Sequence, residues 1–414
     1  MTRSPHKPPA RVAVIGAGMV GLSTAWFLQE AGVQVTVLDR TGVAAGSSWG
    51  NAGWLTSSLA APLPEPAILK YGLRAMFSPS SPLYIPPTAN PRLLKWLAQF
   101  ARNCTTARRD RAMRAMVPLI HGALPAFGAL EAGGVKARTR PADPLTAAFR
   151  SAQDSKGLLE EFAHLKSTGR PVDFDILDGA EARNAEPALT DEITRVVRFH
   201  GERLIDPARY VRAIADSVRA RGGLVAEGAE VNTIHPTRTG VTVAGEDYDA
   251  VVLAHGAWIN RLARQAGVRQ IVQAGRGYSF TVTMDQLPNG PLYFTQQKVV
   301  CTPLGDRVRI AGTMEFRDVG APKDPRRIQS LVAQTRSLLH GAHLDDRQDE
   351  WVGARPCTAD GLPLIGAGSN PRVYVAGGHG MWGIFLGPVS GRLLAQQILT
   401  GHRPEELRAV DPLR

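Results

Sequence analysis

The stretch RVAVIGAGMVGLSTAWFLQEAGVQVTVLDR, beginning at Arg11, constrains this chain more than any other feature. Val12 to Ile15 is a short β-branched run that reads as a buried strand. Leu22 to Glu30 has the length and propensity of a helix, stopped by Gly32, and Val33 to Leu38 reads as a second strand. The three pieces make a βαβ unit, and Gly16, Gly18 and Gly21 fall in the turn between its first strand and its helix. Gly16 permits the tight turn, Gly18 lets the main chain approach a pyrophosphate, and Gly21 lets helix and strand pack closely. The helix start offers unpaired N–H groups and a positive dipole end to the phosphates. Asp39 ends the second strand, where a carboxylate accepts ribose hydroxyls, and an acid there argues against a 2′-phosphate. Gly16, Gly18, Met19, Val20 and Gly21, with Asp39 and Arg40, are therefore the candidate contacts to a dinucleotide.

FAD and NAD both use such a unit. In an NAD domain it continues at once into further alternating units, whereas here roughly 150 residues of other material precede the next sheet-like pieces near Val231 and Val251. A dinucleotide domain assembled from distant segments favours FAD. An NAD-linked dehydrogenase and a flavoprotein fold kept only as a binding or assembly subunit remain the competing readings.

A polar loop rich in Gly and Ser runs from Gly42 to Gly53, and a Pro-rich stretch from Pro62 to Pro91. Helical patterns cover Arg92 to Leu130, with strand-like pieces to about Pro187. Asp206-Pro207 reads as an N-cap and first helical position, with Tyr210, Ile214 and Val218 on one face and a stop at Gly222-Gly223. A strand over Glu230 to Ile234, a hairpin at Thr239-Gly240 and an apolar strand over Ala250 to Ala254 are expected next. From Gln270 to Glu350 the alternation is strand-like, with a turn at Gly305-Asp306. The last segment reads as a strand VYVAGG, a Gly-rich turn, and a helix from about Gly387.

A chain of 414 residues exceeds one ordinary core, so two domains sharing a cofactor cleft are expected. Residues 11–85, 190–265 and 351–405 are assigned to a Rossmann-like α/β FAD-binding domain. Residues 86–189 and 266–350 are assigned to an α+β substrate domain with a mixed or antiparallel sheet, and residues 1–10 to a disordered tail.

The formal net charge of +11 does not make this a nucleic-acid binder, because the arginines are scattered and the one local cluster, Arg108 to Arg114, reads as a solvated helix face. Cys104, Cys301 and Cys357 lie far apart, with no CxxC pair and no His at ligand spacing, so neither a metal site nor a disulfide framework is expected. The polar start lacks an apolar signal core, and the next apolar run is broken by Gly16, Gly18 and Gly21, so neither a signal peptide nor a transmembrane span is expected. A reducing cytoplasm fits these features.

Taken together, RVAVIGAGMVG, SSWGNAG, LLKWLAQFARNC, GARPCTADGLPLIG and GGHGMWGIFLGPVSG resemble the D-amino-acid oxidase superfamily of FAD-dependent oxidoreductases. The earlier segments look most like D-amino-acid dehydrogenases, and the last is nearer glycine oxidase. The resemblance implies that Ser47, Ser48, Asn51, Ala52 and Gly53 meet the FAD pyrophosphate and the flavin edge. It places Val231 at the adenine, Ala254 and Gly256 in a turn where His255 departs from the usual Ala-Thr-Gly pattern, and Gly378, His379, Gly380 and Gly383 under the flavin. The FAD is expected to be non-covalent, since Cys357 does not match the flavin-linking Cys of sarcosine oxidases.

By the same resemblance Arg355 occupies the carboxylate-binding position, where a planar guanidinium holds a carboxylate through two parallel hydrogen bonds. Tyr278 is the second expected catalytic residue, and Trp54, Met381 and Trp382 the expected pocket walls. Met381 stands where glycine oxidases carry a further Arg, which implies a substrate with an apolar portion. The implied reaction is hydride removal from a carbon bound to nitrogen in a D-amino acid or N-substituted glycine, with oxygen or a quinone as electron acceptor. The segment Ala67 to Phe77 resembles the equivalent part of dehydrogenases that deliver electrons to membrane quinones, and reads equally as a peripheral contact with the inner face of the membrane or as an active-site lid packed on the protein itself.

Overall fold

The computed structural model describes residues 7–69 and 78–414; most of Ala67–Phe77 and the first six residues of the tail lie outside the described residues. Its first layer is a six-stranded sheet in the order Leu224–Glu227, Gln34–Asp39, Arg11–Ile15, Ala250–Leu253, Val373–Gly377 and Leu364–Ala367. All neighbours are parallel except the last pair. Alternation sorts its side chains. Val12, Val14, Val37 and Val252 face the helices Met19–Gln29, Thr106–Ala132, Pro207–Ala220 and Gly383–Thr400, while Ala13, Ile15, Leu38 and Val251 face a small meander over residues 234–248.

Local chemistry sets these helices where expected. The Asp206 carboxylate accepts from the Arg209 N–H, and Pro207 takes a first-turn place where its missing N–H costs nothing. Gly387 and Gly391 let Gly383–Thr400 lie directly on Met19–Gln29, because a methyl group at either would press on Met19 or on Ser23 and Thr24. The last helix starts at Gly383, one turn before the expected Gly387, after a short turn over Gly380–Trp382.

The second layer is a nine-stranded mixed sheet. Its order is Gln348–Cys357, Gln273–Val282, Arg307–Phe316, Val299–Leu304, Leu292–Phe294, Leu145–Phe149, Arg195–Phe199 and Phe174–Asp178, with Leu83–Tyr84 beside Arg307–Phe316. One face is covered by Pro325–Arg336, whose Ile328 and Leu331 join Tyr278, Phe280, Val308 and Ile310 in a core.

Several placements differ from the sequence reading. The strand expected at Glu230–Ile234 is instead Leu224–Glu227, which pairs with Gln34–Asp39 as soon as the chain leaves Gly222-Gly223; residues 228–233 are irregular. Arg195–Phe199 and Gln348–Cys357, assigned wholly or largely to the FAD-binding segments, are strands of the nine-stranded sheet, as is Leu83–Tyr84. Thr106–Ala132, assigned to the substrate segments, packs Met116, Leu119, Ala123 and Phe127 into the core under the six-stranded sheet. Long-range pairing decides such membership, and local periodicity does not report it. Thr106–Ala132 is also long and apolar enough, by length and composition, to cross a membrane.

Candidate active site

A cavity of about 540 Å³ opens between the two sheets. Gly16, Gly18, Met19, Val20, Asp39 and Arg40 line it from the βαβ unit. Gly16 has φ +114°, and a side chain there would meet the Ala254 carbonyl; a methyl group at Gly21 would overlap the Gly16 carbonyl, so Gly21 supports the turn without reaching the cavity. The N-cap residue of Met19–Gln29 is Gly18, which has no side chain to cap the helix, and the first turn carries no acid, so apart from the Ser48 contact to the Met19 N–H the positive end of the helix is left to an anion. Asp39 does more than line the wall: Oδ2 accepts from the Ala17 N–H at 2.9 Å, and Oδ1 from those of Thr41 and Gly42 at 2.9 and 3.0 Å.

The loop from Gly42 to Gly53 is fastened to both layers. Ser48 Oγ accepts from the Met19 N–H at 3.3 Å, the Ser47 hydroxyl donates to the Ala354 carbonyl, and the Ser279 hydroxyl donates to the Gly50 carbonyl at 2.9 Å. Ser47, Ser48 and Asn51 reach the cavity. Ala52 and Gly53 do not line it. Gly53, at φ +80°, turns the chain so that its carbonyl accepts from Ile205.

Val231, Ala254 and Gly256 line the far end, with His255. Trp258 and Arg40, which stack at 4.3 Å, close that end together with Arg261; the HGAW sequence was the only signal for the tryptophan. Under the other end lie His379, Gly380, Met381 and Gly383, while Gly378 turns beside Thr358 in a smaller adjoining cavity. The Ser390 hydroxyl donates to the Leu386 carbonyl at 2.7 Å, so it accepts from His379 Nε2–H at 2.9 Å and leaves Nδ1 as the lone-pair nitrogen. Burial pushes both His379 and His255 down to about 4, so both are neutral near pH 7.

Arg355 projects from Gln348–Cys357 over Gly277, whose missing side chain leaves room for the guanidinium. Nη1 donates to the Thr313 carbonyl at 3.1 Å. Its side chain borders the cavity and is largely buried, and this burial lowers its pKa with no carboxylate to counter it among the described residues. An arginine remains protonated nonetheless, so the cavity holds a cation with donor capacity to spare.

Tyr278 is placed differently from the sequence reading. On the same strand pair Gly275 stands opposite Arg355, Gly277 opposite Gly353 and Tyr278 opposite Val352, so Tyr278 and Arg355 point to opposite faces of the sheet. The Tyr278 hydroxyl donates to Glu315 at 2.8 Å and accepts from the Asp324 N–H at 3.2 Å, inside the core under Pro325–Arg336. Burial pushes the phenol up to about 12. Glu315 also pairs with Arg276 at 3.2 Å. Trp54 is likewise absent from the cavity wall: its indole donates to Thr302 at 2.8 Å and meets Tyr293 edge-on. Trp382 lines the adjoining cavity with Leu63, Cys357 and Met381, its indole donating to the Ala61 carbonyl at 2.7 Å.

This donor set suits a flavin dinucleotide. The glycine turn and the acid-free helix start fit a pyrophosphate, His255 Nδ1 is buried beside the cavity without a partner, and the volume is that of a cofactor pocket. Fold and cavity together define a dinucleotide-dependent oxidoreductase. The model of the DAO family, described as FAD dependent oxidoreductase, matches residues 11–397, and the chain belongs to that family, with FAD as its cofactor. It is 30% identical over 410 residues to the D-amino acid dehydrogenase of Azorhizobium caulinodans, covering 95% of this chain and 97% of the relative. It is 32% identical over 409 residues to that of Methylobacterium sp., covering 95% and 96%. The fold is similar to that of glycine oxidase from Bacillus cereus, at a TM-score of 0.72 and 22% identity, covering 97% of this chain and 98% of that one.

Proposed function

We propose that this chain oxidises the Cα–N bond of an amino acid with an apolar side chain, a D-amino acid or an N-substituted glycine. Arg355 carries the proposal: a cation without a carboxylate partner among the described residues, aimed into the cofactor cavity, is a receptor for a substrate carboxylate. Two parallel hydrogen bonds from its guanidinium would fix the α-carbon at a set distance and angle. Met381, which lines the main cavity beside Gly380, offers apolar surface to the side chain. Bound FAD, held without a covalent link, supplies the hydride acceptor.

His255 and His379, neutral and weakly basic at about 4, are poor acceptors for a substrate proton. The amine therefore has to lose its proton to solvent before oxidation, and the rate rises with pH through the bound amine's pKa. The product imine hydrolyses to an oxo acid plus ammonia or an amine. The relatives are named dehydrogenases, which favours an acceptor other than oxygen, and a quinone acceptor would go with a cytoplasmic protein at the inner face of the membrane.

Anaerobic rapid-mixing measurements of flavin reduction test the reading. Breaking a buried carboxylate–guanidinium pair costs roughly 3 to 5 kcal/mol, so Arg355→Ala is expected to lower the second-order rate constant for an amino acid by about two to four orders of magnitude. The decarboxylated amine should lose far less, because it never used the contact. Equal losses for the two substrates would show that Arg355 serves the flavin or the fold.

A further inference from the structure

We propose that an irregularity in the nine-stranded sheet, the bulge at Thr313, together with Gly277, is the seat that fixes the Arg355 guanidinium; the proposal rests on the carboxylate reading of Arg355 above. Between Arg276 and Tyr278 the neighbouring strand runs from Glu315 back to Gly312, so a single residue, Gly277, faces two, Thr313 and Met314. Thr313 has φ +57°, a left-handed conformation that a β-branched residue rarely adopts and that glycine commonly fills in such bulges. Strain of this kind persists only where surrounding contacts over-determine it.

Those contacts are visible. The Thr313 carbonyl accepts from Arg355 Nη1 at 3.1 Å, and the following carbonyl, of Met314, accepts from Arg327 Nη2 at 3.3 Å. The Met314 N–H, released from the regular ladder, donates to the Pro82 carbonyl at 2.6 Å and starts the short pairing with Leu83–Tyr84. In a regular strand the ladder would take up the main-chain groups that here receive Arg355. Gly277 completes the seat from the other side, because a methyl group there would overlap both Nη atoms of Arg355. The Thr313 hydroxyl is buried without a partner, so the seat is made by main chain and does not draw on that side chain.

Gly277 is thus a positioning residue for carboxylate recognition, and the main-chain carbonyl at position 313 is its counterpart, with no part played by the Thr313 side chain. The test titrates pentanoate, a carboxylate with an apolar tail, into the FAD-loaded enzyme and reads Kd from the flavin absorbance. Gly277→Ala should weaken pentanoate by about 10- to 100-fold, the loss expected when a two-point charged contact is set out of line. It should also slow flavin reduction by the amino acid far more than by its decarboxylated amine. Thr313→Gly, which keeps the carbonyl and suits φ +57°, should stay within about threefold of the unaltered enzyme. Truncating Arg355 leaves space for the methyl group, so Gly277→Ala with Arg355→Ala should bind pentanoate no worse than Arg355→Ala alone. If Gly277→Ala fails to fold, the double variant should recover flavin binding, and failure to recover would overturn the proposal. Unchanged affinity in Arg355→Ala would sink the carboxylate reading and the seat with it. Lost affinity in Arg355→Ala beside unaltered affinity in Gly277→Ala, or a Thr313→Gly loss as large as that of Arg355→Ala, would sink the seat alone.

Discussion

Around Gly16 the six-stranded sheet meets the cavity with main chain: a left-handed glycine, a helix that starts at Gly18 with no acid in its first turn, and loop amides collected by Asp39. Around Arg355 the nine-stranded sheet meets the same cavity with a long cationic side chain, shaped by a missing side chain at Gly277 and a bulge at Thr313. The difference teaches where information resides. A main-chain site needs particular residues in consecutive positions and therefore reads as a motif. A side-chain site depends on which face of a strand a residue takes, and pairing partners far away in sequence decide that.

The largest expected effect lies on the main-chain side. Gly16→Val would force a β-branched residue to φ +114° and press it on the Ala254 carbonyl. The purified variant is expected to carry less than about a tenth of the normal flavin, read as the ratio of flavin to protein absorbance. Full occupancy would show that the turn tolerates a side chain and that the contrast between the two regions is misdrawn.

Next comes acid sensitivity. His379 is buried, and its pKa is depressed from 6.5 to about 4, so the unfolded chain binds the proton more readily. Stability is therefore complete above about pH 6.5 and falls as pH drops toward 4, by an order of 3 kcal/mol for this one residue. Below pH 4 the residue's contribution is constant. Denaturant titrations between pH 7 and pH 4.5 should show His379→Asn, which keeps a donor toward Ser390, losing less stability than the unaltered enzyme. Parallel losses would place the acid sensitivity elsewhere.

Smaller again is Asp39→Ala. From sequence alone this carboxylate reads as a ribose acceptor that the fold can spare; the structure shows it also holding the amides of Ala17, Thr41 and Gly42. Its loss should cost about 1.5 to 3 kcal/mol and lower the melting temperature of the FAD-free protein as well as FAD affinity. Weaker FAD binding with an unchanged FAD-free melting temperature would restore the ribose-only reading.

What was legible follows the same division. The βαβ unit, the Asp206 cap and the glycine turn before Gly383–Thr400 follow from local residue chemistry, and the structure places each within a few residues of expectation. Arg355 is marked in the sequence only by the resemblance of its GARP segment to a known pattern, and nothing in its spacing singles it out. Gly277 stood in plain view in GRGYSF, but its use appears only once Arg355 crosses it on the neighbouring strand. Trp54, an expected pocket wall, is turned by pairing with Leu204 to Thr302 and Tyr293.

Tyr278 gives the smallest effect and the cleanest discrimination between faces. A tyrosine next to Gly277, the glycine under the Arg355 guanidinium, would touch the substrate if the faces were exchanged, and Tyr278→Phe would then slow oxidation of the amino acid in preference to its amine. In the structure the hydroxyl instead joins Glu315 to the Asp324 N–H, so removing it leaves a buried acceptor and a buried donor each short of a partner. That loss is expected to cost about 1 to 3 kcal/mol of stability while the flavin-reduction rate for the amino acid changes by less than about threefold. Chemical denaturation supplies the first quantity and anaerobic rapid mixing the second. A rate loss of tenfold or more, confined to the substrate that carries a carboxylate, would return Tyr278 to the active site and show that the strand register assigned to Gln273–Val282 is wrong.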